Sequence, residues 1–131
     1  MDDIRWIQRF SNYKKAFAQL ERIVQMPHLN DIEEQGLIKA FEYTYELSWK
    51  VLQDLLRERG YTGAPGPRPI IEQSFQDGYI NDGQKWMAML KDRNLTTHTY
   101  DEETAKEVIT EIRSVFYPLF LTLRDRLEKE L

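Results

Sequence analysis

A chain of 131 residues is long enough for one domain that buries on the order of two thirds of its unfolded surface around a single core, so residues 1–131 are read as one domain. Cysteine is absent, which excludes disulfides and thiolate metal sites, and a net charge of −4 excludes a uniformly basic nucleic-acid-binding surface. No apolar run approaches the roughly 20 residues of a membrane span, and Met1-Asp2-Asp3-Ile4-Arg5 lacks a signal-peptide layout, so the expected location is the cytoplasm, with no membrane contact.

Trp6, Phe10, Tyr13, Phe17, Leu20 and Val24 recur at three- or four-residue spacing and define one face of a first helix, closed by Pro27. His28 follows in a polar linker and is read as a solvated loop residue. Asn30 followed three residues later by Glu33 has the form of a capping box, and the helix it opens is expected to run to Arg59, with Gly60 at the left-handed position beyond the end. At about 1.5 Å per residue, that helix is a rod of about 40 Å. It carries two adjacent apolar stripes, Leu37, Phe41, Thr44, Ser48, Leu52 and Leu55 beside Ile38, Tyr45, Trp49 and Leu56, and therefore belongs at the centre of a bundle or of a dimer. Glu42 and Glu46 lie one turn apart on it. Pairing with Lys39 and Lys50 on a solvated face accounts for Glu42, whereas Glu46, between Tyr45 and Leu47, is the better candidate to support a site.

Gly63, Pro65, Gly66 and Pro67 make a loop, which lacks the Lys-Ser/Thr ending of a phosphate-binding loop. A short helix is expected over 69–76, ended by Asp77-Gly78, and another from Asn81 or Asp82, with Trp86, Met89 and Leu90 inward, breaking after Asn94. The last helix is expected over 101–129, with Val108, Ile112, Val115, Phe116, Leu119, Leu123 and Leu127 inward and a kink near 114–118 caused by Pro118. No strand-like alternation competes. The fold class is all-α: an antiparallel, up-and-down four-helix bundle with one additional short helix.

Chemistry concentrates in Lys91-Asp92-Arg93-Asn94-Leu95-Thr96-Thr97-His98-Thr99-Tyr100. Arg93 offers a planar fork of donors for phosphate or carboxylate, histidine is the side chain that exchanges protons near neutrality, and Tyr100 carries a modifiable hydroxyl. Five residues apart, Arg93 and His98 would diverge on one continuous helix, so both can serve one site only if the helix ends between them. Thr96 and Thr97 weaken it there, and Thr99 with Glu102 reads as a new capping box, with Asp101 as a competing N-cap. His98 and Tyr100 are thus placed in a short connection. The plain alternative is an Arg capping a helix end, a His in a turn and a half-buried Tyr.

The run from Arg93 to Tyr100, Arg then four residues then His-x-Tyr, resembles the signature of HEPN domains, and more narrowly that of bacterial nucleotidyltransferase substrate-binding proteins. Residues 41–50, Ile80-Asn81-Asp82-Gly83 and residues 97–105 are similar to that subgroup too, so the likeness spans nearly the whole chain. The resemblance implies a helical bundle, usually dimeric, acting as the toxin of a toxin–antitoxin pair. Its activity would be that of a metal-independent endoribonuclease needing no cofactor, silenced when a minimal nucleotidyltransferase attaches AMP to the motif tyrosine. By that resemblance Arg93 and His98 are catalytic, Asn94 is the supporting polar residue and Tyr100 is the AMP acceptor.

The residues fit such chemistry on their own terms: attack of an RNA 2′-hydroxyl on the adjacent phosphate needs a proton carrier, for which His98 is suited, and a fixed cation, for which Arg93 is suited. With one motif histidine per chain, a two-fold dimer would supply both acid and base. A reading from another class is a non-catalytic module presenting substrate to a separate transferase. The chain is not itself the transferase, since it has no Gly-Ser followed by an Asp-x-Asp metal pair.

Overall fold

The computed structural model describes residues 4–131; Met1, Asp2 and Asp3, part of the stretch read above for a targeting signal, lie outside the described residues. Six α-helices follow in order: α1 (Arg5–Val24), α2 (Asp31–Glu58), α3 (Pro67–Gln76), α4 (Gly83–Leu95), α5 (Glu102–Glu111) and α6 (Tyr117–Glu128). A 3₁₀ turn, Thr96–His98, follows α4, and a π turn, Ile112–Phe116, joins α5 to α6 into one continuous rod. No strand occurs among the described residues, and none of their helices is long and apolar enough to cross a membrane.

Polar cross-links fix the directions of the helices. Arg9 near the start of α1 meets Asp54 near the end of α2 at 2.9 Å, so the two are antiparallel. Arg113 donates to the Val24 and Met26 carbonyls while Lys14 pairs with Glu128, so α1 is also antiparallel to the α5–α6 rod. Arg93 lies beside Glu42 and Glu46, and the Thr99 carbonyl beside Gln35, so α4 opposes α2. The result is an up-and-down bundle of α1, α2, α4 and α5–α6, with α3 as the extra short helix.

The core sits where the aromatic residues of α1, α2, α4 and the α5–α6 rod converge. Phe41 stacks on Phe116 at 5.5 Å between ring centroids, Trp86 meets Phe120 edge-on at 6.0 Å, and the buried Tyr13 hydroxyl donates to the Phe120 carbonyl at 2.7 Å. Both stripes of α2 are buried within one protomer except Trp49, which is only partly covered. The two-sided apolar character of α2 is therefore satisfied by its central place in the bundle and does not by itself require a second chain.

Helix ends follow local chemistry. Asn30 and Glu33 form the reciprocal capping box. At the other end of α2, Gly60 adopts φ +100°, the Gly60 amide donates to Arg57 O and the Tyr61 amide to Leu56 O, the paired pattern of a Schellman ending. Helix α3 starts at Pro67, two residues before the expected Pro69. Gly66, at φ +101°, turns the chain into it, and both prolines fall among the first residues, whose N–H groups have no intrahelical acceptor in any case. Pro118 produces the expected irregularity as a π turn, in which the Tyr117 amide reaches back five residues to Ile112 O. Of the residues expected inward in this rod, Val115 alone is only partly covered.

Two substitutions separate core packing from capping: in urea unfolding, Phe41→Ala should lower stability by roughly 3–5 kcal/mol, and Asn30→Ala by about 1 kcal/mol. Equal effects would contradict this picture of where the stability resides.

Candidate active site

The helix carrying Arg93 does end before His98. Leu95 is the last residue of α4, one later than expected, and Thr96–His98 form the 3₁₀ turn. The Thr96 hydroxyl donates to the Arg93 carbonyl at 2.7 Å, so the threonine that weakens the helix also closes its last turn. The same oxygen accepts from Arg93 Nη1 at 3.0 Å, holding the guanidinium back along its own helix.

Across the interface, α2 presents two carboxylates to that guanidinium. Glu42 Oε2 lies 3.6 Å from Nη2 and Glu46 Oε1 lies 3.6 Å from Nε. These are ion pairs longer than hydrogen bonds, and Arg93 Nε is buried without a hydrogen-bond partner among the described residues. Glu46 is itself held by the Trp49 indole N–H, which donates to its other oxygen at 3.2 Å. Glu46 thus lies between the Arg93 guanidinium and the Trp49 indole. Glu42 does not follow the expected lysine pairing: Lys39 lies over the Tyr43 ring and Lys50 over the Trp49 ring, and Glu42 turns to Arg93. The helical spacing of Glu42 and Glu46 was the available signal, because two carboxylates one turn apart can share one guanidinium.

Beneath this cluster lies Tyr45, buried with its hydroxyl unpartnered among the described residues. Burial, then the Glu46 charge, push its phenol far above the ordinary range, against the opposing pull of Arg93 and Arg68, so it stays neutral.

His98 and Tyr100 are exposed, Tyr100 at 86%, and their rings meet edge-on at 6.1 Å. An exposed Tyr100 departs from the alternative in which it is half-buried. Asn94 is exposed as well, and its carbonyl accepts from the Thr97 hydroxyl. No hydrogen bond links Arg93 to His98 among the described residues; the two are joined by the turn. That turn is anchored from below: Thr99 is buried, its hydroxyl donates to Thr96 O at 3.0 Å, and its carbonyl accepts from Gln35 of α2 at 3.3 Å. Thr99 consequently does not cap α5. Asp101 occupies the N-cap position, its side chain accepting from the Thr104 hydroxyl, and α5 begins at Glu102. Thr96, Thr99 and Gln35 went unnoticed in the sequence as positioning residues; Thr96 alone left a trace, three residues and one helical turn from Arg93.

On the side of α4 facing α5, Asp92 lies near Glu107 and Glu111 of α5. Partial burial first, then Glu111, raise the Asp92 carboxyl above its ordinary range, with Lys91 opposing and Glu107 adding to the shift. Among the described residues, no group of three or more histidines and carboxylates is arranged to hold a metal.

The Arg-x4-His-x-Tyr segment on which the resemblance to HEPN domains rests thus straddles the end of a bundle helix, with its Arg held by carboxylates of the central helix. Residues 8–129 match the family described as nucleotidyltransferase substrate binding protein like, and the chain belongs to that family. A Haemophilus influenzae protein named probable ribonuclease HepT is 35% identical over 74% of this chain and 77% of its own. A solved Haemophilus influenzae structure, described as revealing the fold of a substrate binding domain of a nucleotidyltransferase, superposes with a TM-score of 0.81 at 30% identity, covering 91% of this chain and 98% of that one. A crystal structure of a Thermus thermophilus protein gives a TM-score of 0.76 at 30% identity, covering 90% of this chain and 97% of that one.

The Asp92 shift sets a sign for pH dependence. A carboxyl raised in the folded state binds its proton more tightly there, so its contribution is most favourable at low pH and is lost as pH rises through the raised value. Asp92→Asn should therefore melt above the parent at pH 7, with the gain shrinking as the pH approaches the ordinary Asp value of 3.8. A gain independent of pH would contradict the electrostatic cause.

Proposed function

We propose that this protein is a metal-independent endoribonuclease, the toxin of a toxin–antitoxin pair, with Arg93 and His98 as its catalytic residues. The observation that carries the reading is a guanidinium held at the end of α4 by Glu42, Glu46 and Thr96, with an exposed imidazole one 3₁₀ turn further on. The name borne by the Haemophilus influenzae relative, probable ribonuclease HepT, supports it.

In the proposed reaction the RNA 2′-oxygen forms a bond to the adjacent phosphorus and the bond from phosphorus to the 5′-oxygen breaks. One imidazole accepts the 2′-hydroxyl proton and a second donates a proton to the leaving 5′-oxygen. Arg93 faces the charge developing on the phosphoryl oxygens, and Asn94 adds a neutral donor. With one motif histidine per chain, the two imidazoles come from the two protomers of a homodimer. Exposed Ile32 and Tyr100 give apolar surface at the motif end of the bundle, where Gln35, one turn from Ile32, meets Thr99.

Tyr100 is the proposed acceptor of AMP from a partner minimal nucleotidyltransferase, its hydroxyl attacking the α-phosphorus of ATP with release of pyrophosphate. The added phosphate would sit near the Arg93 fork and block the site by charge and bulk. A second reading, a non-catalytic subunit presenting substrate to that transferase, is favoured by the description of the solved Haemophilus influenzae fold.

Arg93→Ala and His98→Ala should each reduce cleavage of RNA by at least about a hundredfold while leaving helicity and melting nearly unchanged. Full activity in either variant refutes the assignment. Light scattering should report about twice the 15.7 kDa chain mass, and a monomer that still cleaves would refute the shared site. Incubated with the transferase, ATP and magnesium, the protein should gain AMP at Tyr100 and lose activity; mapping to another residue, or silencing of Tyr100→Phe, would overturn the modification.

A further inference from the structure

The site does not end at Arg93. A groove of about 470 Å³ opens from the guanidinium across the outer ridge of α2 to α1, where Lys15 stands on the far wall. The ridge is made by Lys39, Glu42, Tyr43 and Glu46, which share one face of α2 by their spacing. Its three cations, Lys15, Lys39 and Arg93, outnumber its two carboxylates, although the whole chain carries −4. Both carboxylates are committed to Arg93, and neither lysine has an ion-pair partner among the described residues. Between the lysines and the arginine, Tyr43 is 48% exposed, with the Lys39 ammonium 5.4 Å from its ring centroid.

We infer that this groove binds the nucleotide flanking the scissile phosphate of a single-stranded RNA, its base stacked on Tyr43 and its backbone phosphate between Lys15 and Lys39. This rests on the reading of Arg93 as the cation facing the scissile phosphate. An exposed aromatic ring next to ammonium groups that have no carboxylate partner is the elementary unit of single-strand recognition, since every base has a face to stack and every nucleotide a charge to neutralise; here the incoming base displaces the Lys39 ammonium from the Tyr43 ring toward the phosphate. A base within a duplex is already stacked on its neighbours and is not free to stack on a side-chain ring. The substrate class is therefore unpaired RNA, with little sequence preference from this groove, because stacking does not read base edges.

Binding is measured apart from cleavage by fluorescence anisotropy in the His98→Ala background, with a labelled single-stranded oligouridylate of about ten nucleotides. Tyr43→Ala should weaken binding on the order of tenfold, while Tyr43→Phe retains it. Lys15→Ala with Lys39→Ala should weaken it and lower the slope against log salt by about 0.7, the share of one phosphate on a single strand. The equally charge-reducing pair Lys85→Ala with Lys129→Ala, outside the groove, should change it far less, and a duplex of the same length should bind more weakly than the single strand. Unchanged binding by Tyr43→Ala, equal losses from the two lysine pairs, or equal affinity for duplex would each overturn the groove. If the groove variants lose binding but the parent protein never cleaves RNA, the groove stands and the nuclease reading fails. If the parent cleaves and the groove variants bind normally, the nuclease stands and the groove fails.

Discussion

One guanidinium shared by two carboxylates governs the geometry of the motif. Arg93 leaves α4 at its last turn and is met by Glu42 and Glu46 from α2, each at 3.6 Å. Partly exposed ion pairs of this kind contribute at most about 1 kcal/mol each, so their role is orientation more than stability. They hold the fork against the central helix at ion-pair distance, without short hydrogen bonds from its donors to the carboxylates. A phosphate, with geometry suited to bidentate hydrogen bonds, can therefore compete for this cation in a way it could not for one locked in a short bidentate pair.

Everything else near the motif serves to end α4 at the right residue. Thr96 back-bonds to the Arg93 carbonyl and accepts from its side chain, Thr99 is buried and tied to α2 through Gln35, and the two residues between and after them, His98 and Tyr100, are left in solvent. Buried residues recur three apart, the period of a 3₁₀ turn: Thr96 and Thr99 are inward, while Thr97, His98 and Tyr100 are exposed. The inward threonines are the anchors that allow the outward imidazole and phenol to be exposed without the loop being loose.

Much of this was legible in the sequence because it is local. The Asn30/Glu33 capping box, Gly60 beyond the end of α2, and the Pro118 irregularity depend on residues within one or two turns, and the structure contains each. The break between Arg93 and His98, signalled by Thr96, Thr97 and a new helix start beyond them, appears within one residue of its expected place. What failed depended on distant partners. Thr99 has the right spacing to cap α5 with Glu102, but burial against α2 draws its hydroxyl to Thr96 O and leaves the N-cap position to Asp101. Glu42 has lysines at helical spacing, yet the aromatic rings of Tyr43 and Trp49 take those ammonium groups and Arg93 takes the carboxylate. A helix surface seen in sequence shows its own neighbours and cannot show the helix packed across from it.

The central claim is that Arg93 and His98 perform a transesterification whose nucleophile belongs to the RNA. The direct test is the chemistry of the product ends after incubating purified protein with single-stranded RNA in the presence of EDTA. Fragments bearing 2′,3′-cyclic phosphate and 5′-hydroxyl ends, formed with no divalent cation present, are the predicted result. Fragments with 3′-hydroxyl ends, cleavage that appears only when magnesium is restored, or intact RNA would contradict it.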